Sequence, residues 1–223
     1  MDFQTDGISL KMAPGVATNL AAGTGAGNIE NGALTLTHNR IVFNQTEGML
    51  SYADSFSLVA SFKINSTTGN NYPIIFGLGE STSWNWKAAY YVNDSMFVLD
   101  KDGFSNLVDE TDKKVGGVTY APDENGVVTL ALTNNGEGLL SLYVNGELAG
   151  KTQITSENEY SSSKKIKMFS PGGRLTSGNN TSDVTFYDVQ FIKGISTALI
   201  PEPATATLSL LALCGLAARR RRV

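Results

Sequence analysis

The sequence predicts an all-β protein: a two-sheet antiparallel sandwich over residues 1–198, followed by a tail at 199–223 that carries a short apolar helix. Three observations point there. Phe56, Leu58, Ala60, Phe62 and Ile64 recur with a period of two over nine residues, with Ser57, Val59, Ser61 and Lys63 between them. Asn145-Gly146 stands between two apolar runs, and both central residues of a type I′ hairpin turn need positive φ, which Asn-Gly reaches at little cost. Before residue 200 there are no heptads, no internal repeat and no helical pattern longer than a turn or two.

The elements follow in order. Residues 1–33 are rich in Gly, Ala, Thr and Asn, with a first strand expected at 8–12. Residues 33–37 alternate, and Ile41-Val42-Phe43 follows a polar break. After the strand at 56–64, further strands are expected at 72–78, 88–92, 96–99, 127–132 and 139–144, then across the Asn-Gly turn at 147–150. Residues 166–169 and 184–192 supply the last ones. In the final strand Val184/Phe186 and Val189/Phe191 are out of phase by one residue. That predicts a β-bulge near Tyr187-Asp188 or burial on both faces.

Composition narrows the function. Hydrophobic residues make up 41% and charged residues 17%, so a core can form while the surface relies on Asn, Ser and Thr. A net charge of −4 leaves no footprint for nucleic acid, and the one dense basic run follows an apolar segment, where it reads as a topology signal. The single cysteine, Cys214, excludes an internal disulfide and a thiolate metal site.

Three stretches resemble the laminin-G-like, concanavalin-type jelly-roll family. Residues 55–64 look like its early core strand, and residues 128–132 with 138–148 are similar to its paired strands ending in an "LYVDG" turn. Residues 185–192 resemble its closing strand. These motifs record turns and core positions, and the resemblance implies a jelly-roll sandwich. The tail closely matches the PEP-CTERM sorting signal: Pro201-Glu202-Pro203, an apolar stretch at 204–218, then Arg219, Arg220, Arg221 and Arg222. That resemblance implies a bacterial exported protein, held transiently at the inner membrane and cut near Pro-Glu-Pro by an exosortase-type enzyme. The mature form is then expected at the cell surface or in the extracellular matrix. The apolar stretch is shorter than the about 20 residues of a stable span, and arginines beyond it stay cytoplasmic. Residues 1–6 open acidic with no apolar h-region, so an export signal is expected upstream of this sequence.

Residue chemistry separates the candidate sites. Catalysis by this fold needs two carboxyl groups across a cleft, presented as Glu-x-Asp-x-x-Glu or a near variant, and no such arrangement occurs. Asp109-Glu110-Thr111-Asp112 reads as a solvated loop, and His38 as a turn or surface residue. No enzyme is expected. Asp94, Asp183 and Asp188 have the type for calcium, but no spacing motif singles them out, so no metal ligand and no cofactor is assigned. Residues 83–91 hold both tryptophans, two tyrosines and an Asn, a make-up suited to stacking on sugar faces. Trp84, Trp86 and Tyr90 are therefore the candidate ligand contacts, against a competing reading in which this face points into the core. The expected function is a non-catalytic surface protein binding glycan or another surface protein. Alternatives are a structural matrix component without a ligand and a divergent glycosidase of the same fold.

Overall fold

The computed structural model describes residues 3–4, 7–8, 27–44, 48, 50–67, 73–81, 85–92, 96–102, 114–119, 122–153, 163–173, 175 and 182–195. Every regular element among them is a strand, and every strand pairing is antiparallel. Numbered along the chain, a seven-stranded sheet contains β3 (Asn28–Glu30), β4 (Ala33–Asn39), β7 (Ser55–Ser66), β12 (Val127–Asn135), β13 (Leu139–Val144), β14 (Glu147–Gln153) and β17 (Ser182–Lys193), in the order β14-β13-β12-β7-β17-β4-β3. A six-stranded sheet contains β5 (Phe43–Asn44), β8 (Ile74–Gly79), β9 (Asn85–Tyr91), β10 (Met96–Asp102), β11 (Lys114–Thr119) and β16 (Met168–Pro171), in the order β11-β10-β9-β8-β16-β5. Two short pairs complete the set: β1 (Phe3–Gln4) with β2 (Gly7–Ile8), and β6 (Leu50–Ser51) with β15 (Lys165–Ile166).

The two sheets share one core, and the period-two reading placed its residues correctly. Phe56, Leu58, Ala60 and Phe62 of β7 are buried in it, with Leu130 of β12 and Leu142 and Val144 of β13. Aromatic rings tie the layers together. Phe62 meets Phe97 of the other sheet edge-on at 5.9 Å and Phe186 of β17 at 5.9 Å, while Phe56 meets Phe191 at 5.3 Å. Such ring pairs add to what area burial alone supplies.

The Asn145-Gly146 hairpin forms as expected, with φ of 49° and 83°. The expected strand at 166–169 is two, β15 and β16, which pair with different partners. The expected first strand at 8–12 overlaps only Ile8 of β2, and the rest lies outside the described residues. Four strands were not expected from the pattern: β1, β3, β6 and β11. In β11 the cause is Gly116-Gly117, which breaks alternation. The register passes from Phe97↔Val118 to Leu99↔Val115, so both glycines stand opposite Val98 as a bulge.

Buried polar groups hold the sandwich at one end. The amide of Asn134 is fully buried and donates to the carbonyls of Tyr52 (2.7 Å) and Asp54 (3.3 Å), while its oxygen accepts from Gly136 N–H at 3.2 Å. Burial pushes the Asp54 carboxyl up, but the Ser51 N–H at 2.8 Å and Lys193 at 3.4 Å outweigh it and hold the carboxyl below its usual range. Because Phe62 joins three strands from two sheets, Phe62→Ala should destabilise the protein by ~3–5 kcal/mol. Equilibrium urea unfolding measures this, and a loss under about 1 kcal/mol would contradict the inter-sheet role.

Candidate functional site

The last strand of the seven-stranded sheet carries the feature of most interest. Val184 and Phe186 are buried in the core, and so are Val189 and Phe191. Strict alternation cannot face all four inward, so β17 takes one extra residue. Its register on β7 passes from Phe186↔Phe62 to Asp188↔Ser61, leaving Tyr187 as the bulged residue. The bulge ejects Tyr187 onto the outer face, 44% exposed, beside the half-buried Asp188. Gln190 Nε2 donates to Asp188 Oδ2 at 2.6 Å.

Close to β17 this face carries hydroxyl and amide groups, while Ser57, Val59, Ala131, Thr133 and Ser141 further across it are buried. Ser61 and Thr129 share a hydrogen bond at 3.0 Å, and Thr35 and Thr185 another at 2.9 Å. Asn65 Nδ2 donates to Thr185 Oγ1 at 3.1 Å and to Asp183 Oδ1 at 3.2 Å. A second tyrosine lies further across. The register runs Gln190–Val59–Ala131–Tyr143–Leu148, which puts Tyr143 three strands from β17, about 14 Å at the usual strand spacing. Tyr143 is half-buried, and Leu148 is 50% exposed. An aromatic ring beside a carboxylate, an amide and hydroxyls can stack on an apolar face while exchanging hydrogen bonds with polar groups around it.

The outer face of the six-stranded sheet is buried as well. On the six-stranded sheet Ile74, Lys87, Ala89 and Ser170 are all buried, although they alternate with core residues. A side chain at Gly77, between Ser170 and Lys87 in the register, would meet Gly173 O at 3.1 Å and Leu175 N at 3.3 Å. Gly173 and Leu175, just after β16, therefore lie directly on this face at Gly77.

The sequence-predicted contacts fare unevenly. Tyr90 is a correction: it is 7% exposed, belongs to the core, and packs on Phe97 with centroids 5.2 Å apart. Alternation decides this, since Tyr90 shares a face with Ala88, and Ala88 is in the core. The Trp86 backbone pairs with Leu78 and Lys101 in mid-sheet, while its side chain and all of Trp84 lie outside the described residues. Asp94, residues 109–112, Pro201, Glu202, Pro203, residues 204–218 and Arg219 to Arg222 also lie outside them. His38 is exposed near the end of β4 with φ of 47°. Among the described residues no group of three or more His, Cys, Asp or Glu is placed to hold a metal ion, and no helix is long and apolar enough to cross a membrane. Sequence reasoning did not name Tyr187 as a contact, yet its signal was the phase slip at 184–191.

No protein-family model and no curated protein matches the chain. Solved structures do. A Trypanosoma rangeli sialidase in complex with 2,3-difluoro-KDN matches at 16% identity and a TM-score of 0.59, over 82% of this chain and 28% of that one. The botulinum neurotoxin serotype C1 binding domain matches at 16% identity and a TM-score of 0.59, over 89% of this chain and 49% of that one. The binding domain of botulinum neurotoxin DC in complex with rat synaptotagmin II matches at 15% identity and 0.54, over 86% and 49%. The match thus spans half or less of each of these proteins. At this identity the likeness defines the class by fold: an antiparallel β-sandwich of the kind found in toxin binding domains and in part of a sialidase.

The two tyrosines make a direct comparison. Tyr187→Ala should leave stability within about 0.5 kcal/mol, whereas Tyr90→Ala should cost roughly 3 kcal/mol. Urea midpoints of the two variants check the assignment, and a reversed order would overturn it.

Proposed function

We propose that the chain is a non-catalytic carbohydrate-binding module of the laminin-G-like, concanavalin-type jelly-roll kind, belonging to an exported bacterial envelope or matrix protein. The observation that carries the binding part is the β17 bulge, which sets an exposed Tyr187 beside the Gln190–Asp188 pair on a hydroxyl-rich sheet face. Support for the class comes from fold neighbours that are botulinum neurotoxin binding domains, one in complex with rat synaptotagmin II, and from a sialidase in complex with 2,3-difluoro-KDN. No cofactor enters the proposal.

A glycan array of the purified chain tests it. For the best glycan, Tyr187→Ala should weaken binding by ~1–3 kcal/mol with unchanged folding, the range for losing an aromatic anchor. Binding should also survive chelation of divalent ions. Absence of any glycan ligand would favour the purely structural reading, and turnover abolished by a single Asp→Asn or Glu→Gln change would favour the glycosidase.

The export part rests on the tail sequence. Pro201-Glu202-Pro203, the apolar run at 204–218 and Arg219 to Arg222 make a PEP-CTERM signal with an exosortase-type enzyme as partner. A segment apolar all round needs lipid or complete burial, which suits a transient inner-membrane anchor. Mass spectrometry of the native protein should find a mature C-terminus near Pro203, and a longer membrane-bound form in cells lacking the processing enzyme. An intact arginine end on the external protein would remove this reading.

A further inference from the structure

The chain contains four Asn-Gly steps, at 31–32, 125–126, 135–136 and 145–146. An Asn-Gly step can rearrange without any enzyme. The glycine backbone nitrogen attacks the Asn Cγ, the C–N bond to the side-chain amide breaks, and ammonia leaves. The resulting succinimide is opened by water to aspartate or isoaspartate. Glycine favours the attack because it has no Cβ to obstruct the approach. In solution peptides the four steps would be close to equivalent, so differences among them come from the fold.

Three of the four are restrained. At 145–146, Asn145 Oδ1 accepts from Thr129 N–H at 2.9 Å while Asn145 N–H donates to Thr129 O at 2.7 Å, which holds the amide on β12. At 135–136, Asn135 Oδ1 accepts from Glu137 N–H at 2.8 Å and Leu139 N–H at 3.0 Å, and the attacking Gly136 nitrogen donates to Asn134 Oδ1 at 3.2 Å. At 125–126, the Gly126 nitrogen donates to Asp123 O at 2.9 Å, and Asn125 N–H donates to Asp123 Oδ1 at 2.8 Å. Each must give up one or more of these bonds before the ring can close.

Asn31-Gly32 has no such restraint. Both residues are exposed, they form the turn between β3 and β4, and nothing lies within 4 Å of where a Gly32 side chain would stand. Backbone conformation does not separate this turn from the protected one, since Asn31 and Asn145 have φ of 51° and 49°. The difference lies in the side-chain bonds and in the hairpin. β3 is a three-residue strand at the edge of its sheet, where opening is easiest.

We propose that Asn31 is a site of spontaneous deamidation, and that hydrogen bonding protects the other three Asn-Gly asparagines. The product places a new negative charge at the hairpin tip. In its isoaspartate form it adds a backbone atom to a two-residue turn whose length sets the β3–β4 register. The consequence is release of β3, with Ile29 leaving its place against the core.

The test is peptide mapping by mass spectrometry after incubating the full chain at mildly alkaline pH, folded and in urea. In the folded protein Asn31 should convert roughly five- to thirtyfold faster than Asn125, Asn135 and Asn145, the factor for one or two net hydrogen bonds broken first. In urea the four rates should converge. Asn31 converting no faster than the others in the folded protein overturns the proposal. A lead that persists undiminished in urea overturns the structural cause.

Discussion

The pairing of β7 with β17 is the constraint on which the rest of the structure depends. β17 is the last described strand, and it sits between β7 and β4 near the middle of the seven-stranded sheet. The register joins residues more than a hundred positions apart, such as Phe62 with Phe186 and Leu58 with Phe191. Such a contact must overcome loop-closure entropy before it contributes, so its side chains have to be strongly apolar. They are: Phe56, Phe62, Phe186 and Phe191 form two ring pairs along this one seam.

The outer face inherits its site from that seam. Facing both Val184/Phe186 and Val189/Phe191 inward requires one surplus residue, and the surplus residue must go outward. Tyr187 therefore stands in mid-sheet on a rigid element, with its place set by core residues on either side. A single exposed aromatic is ordinary on a protein surface. Here it gains meaning from its surroundings, since Asp188 and Gln190 are already hydrogen-bonded and neighbouring hydroxyls are paired across strands. A ligand at such a face meets groups already ordered, which limits the entropy lost on binding.

Much of this was legible in the sequence where one physical rule acted alone. The alternation at 56–64, the hairpin around Asn145-Gly146 and the phase slip in the last strand each follow from a local period or turn preference. Legibility failed where tertiary context overrode the local rule. Gly116-Gly117 concealed a strand because its residues serve a bulge opposite Val98. Ile74, Lys87 and Ala89 lie on what alternation marks as an outer face, yet they are buried, and at Gly77, beside Lys87 in the register, the chain after β16 folds back over the sheet. The aromatic cluster at 84–91 drew attention by composition, but composition carries no phase. Phase put Tyr90 with Ala88 in the core and Tyr187 outside it.

Stability without an internal disulfide also shapes the surface. Ion pairs among the described residues, Lys164 and Lys167 with Glu80 and Lys193 with Asp54, are partly exposed and each contributes little. Register must then be held by turns, and Asn-Gly supplies positive φ where two-residue hairpins need it. The same pair of residues is chemically fragile, because the missing Cβ that permits the turn also opens a path to the amide carbon. Asn145, in its two-residue hairpin, and Asn135, in the longer β12–β13 loop, each hold the chain and guard the amide with one atom. Asn135 Oδ1 accepts from Glu137 and Leu139 N–H in its own loop and Asn145 Oδ1 from Thr129 N–H on β12, and each bond holds the amide away from the glycine nitrogen. Conformational specification and chemical durability thus come from the same hydrogen bonds wherever a neighbouring strand or loop offers a donor. At the sheet edge, where β3 has a partner on one side only, no such donor is at hand.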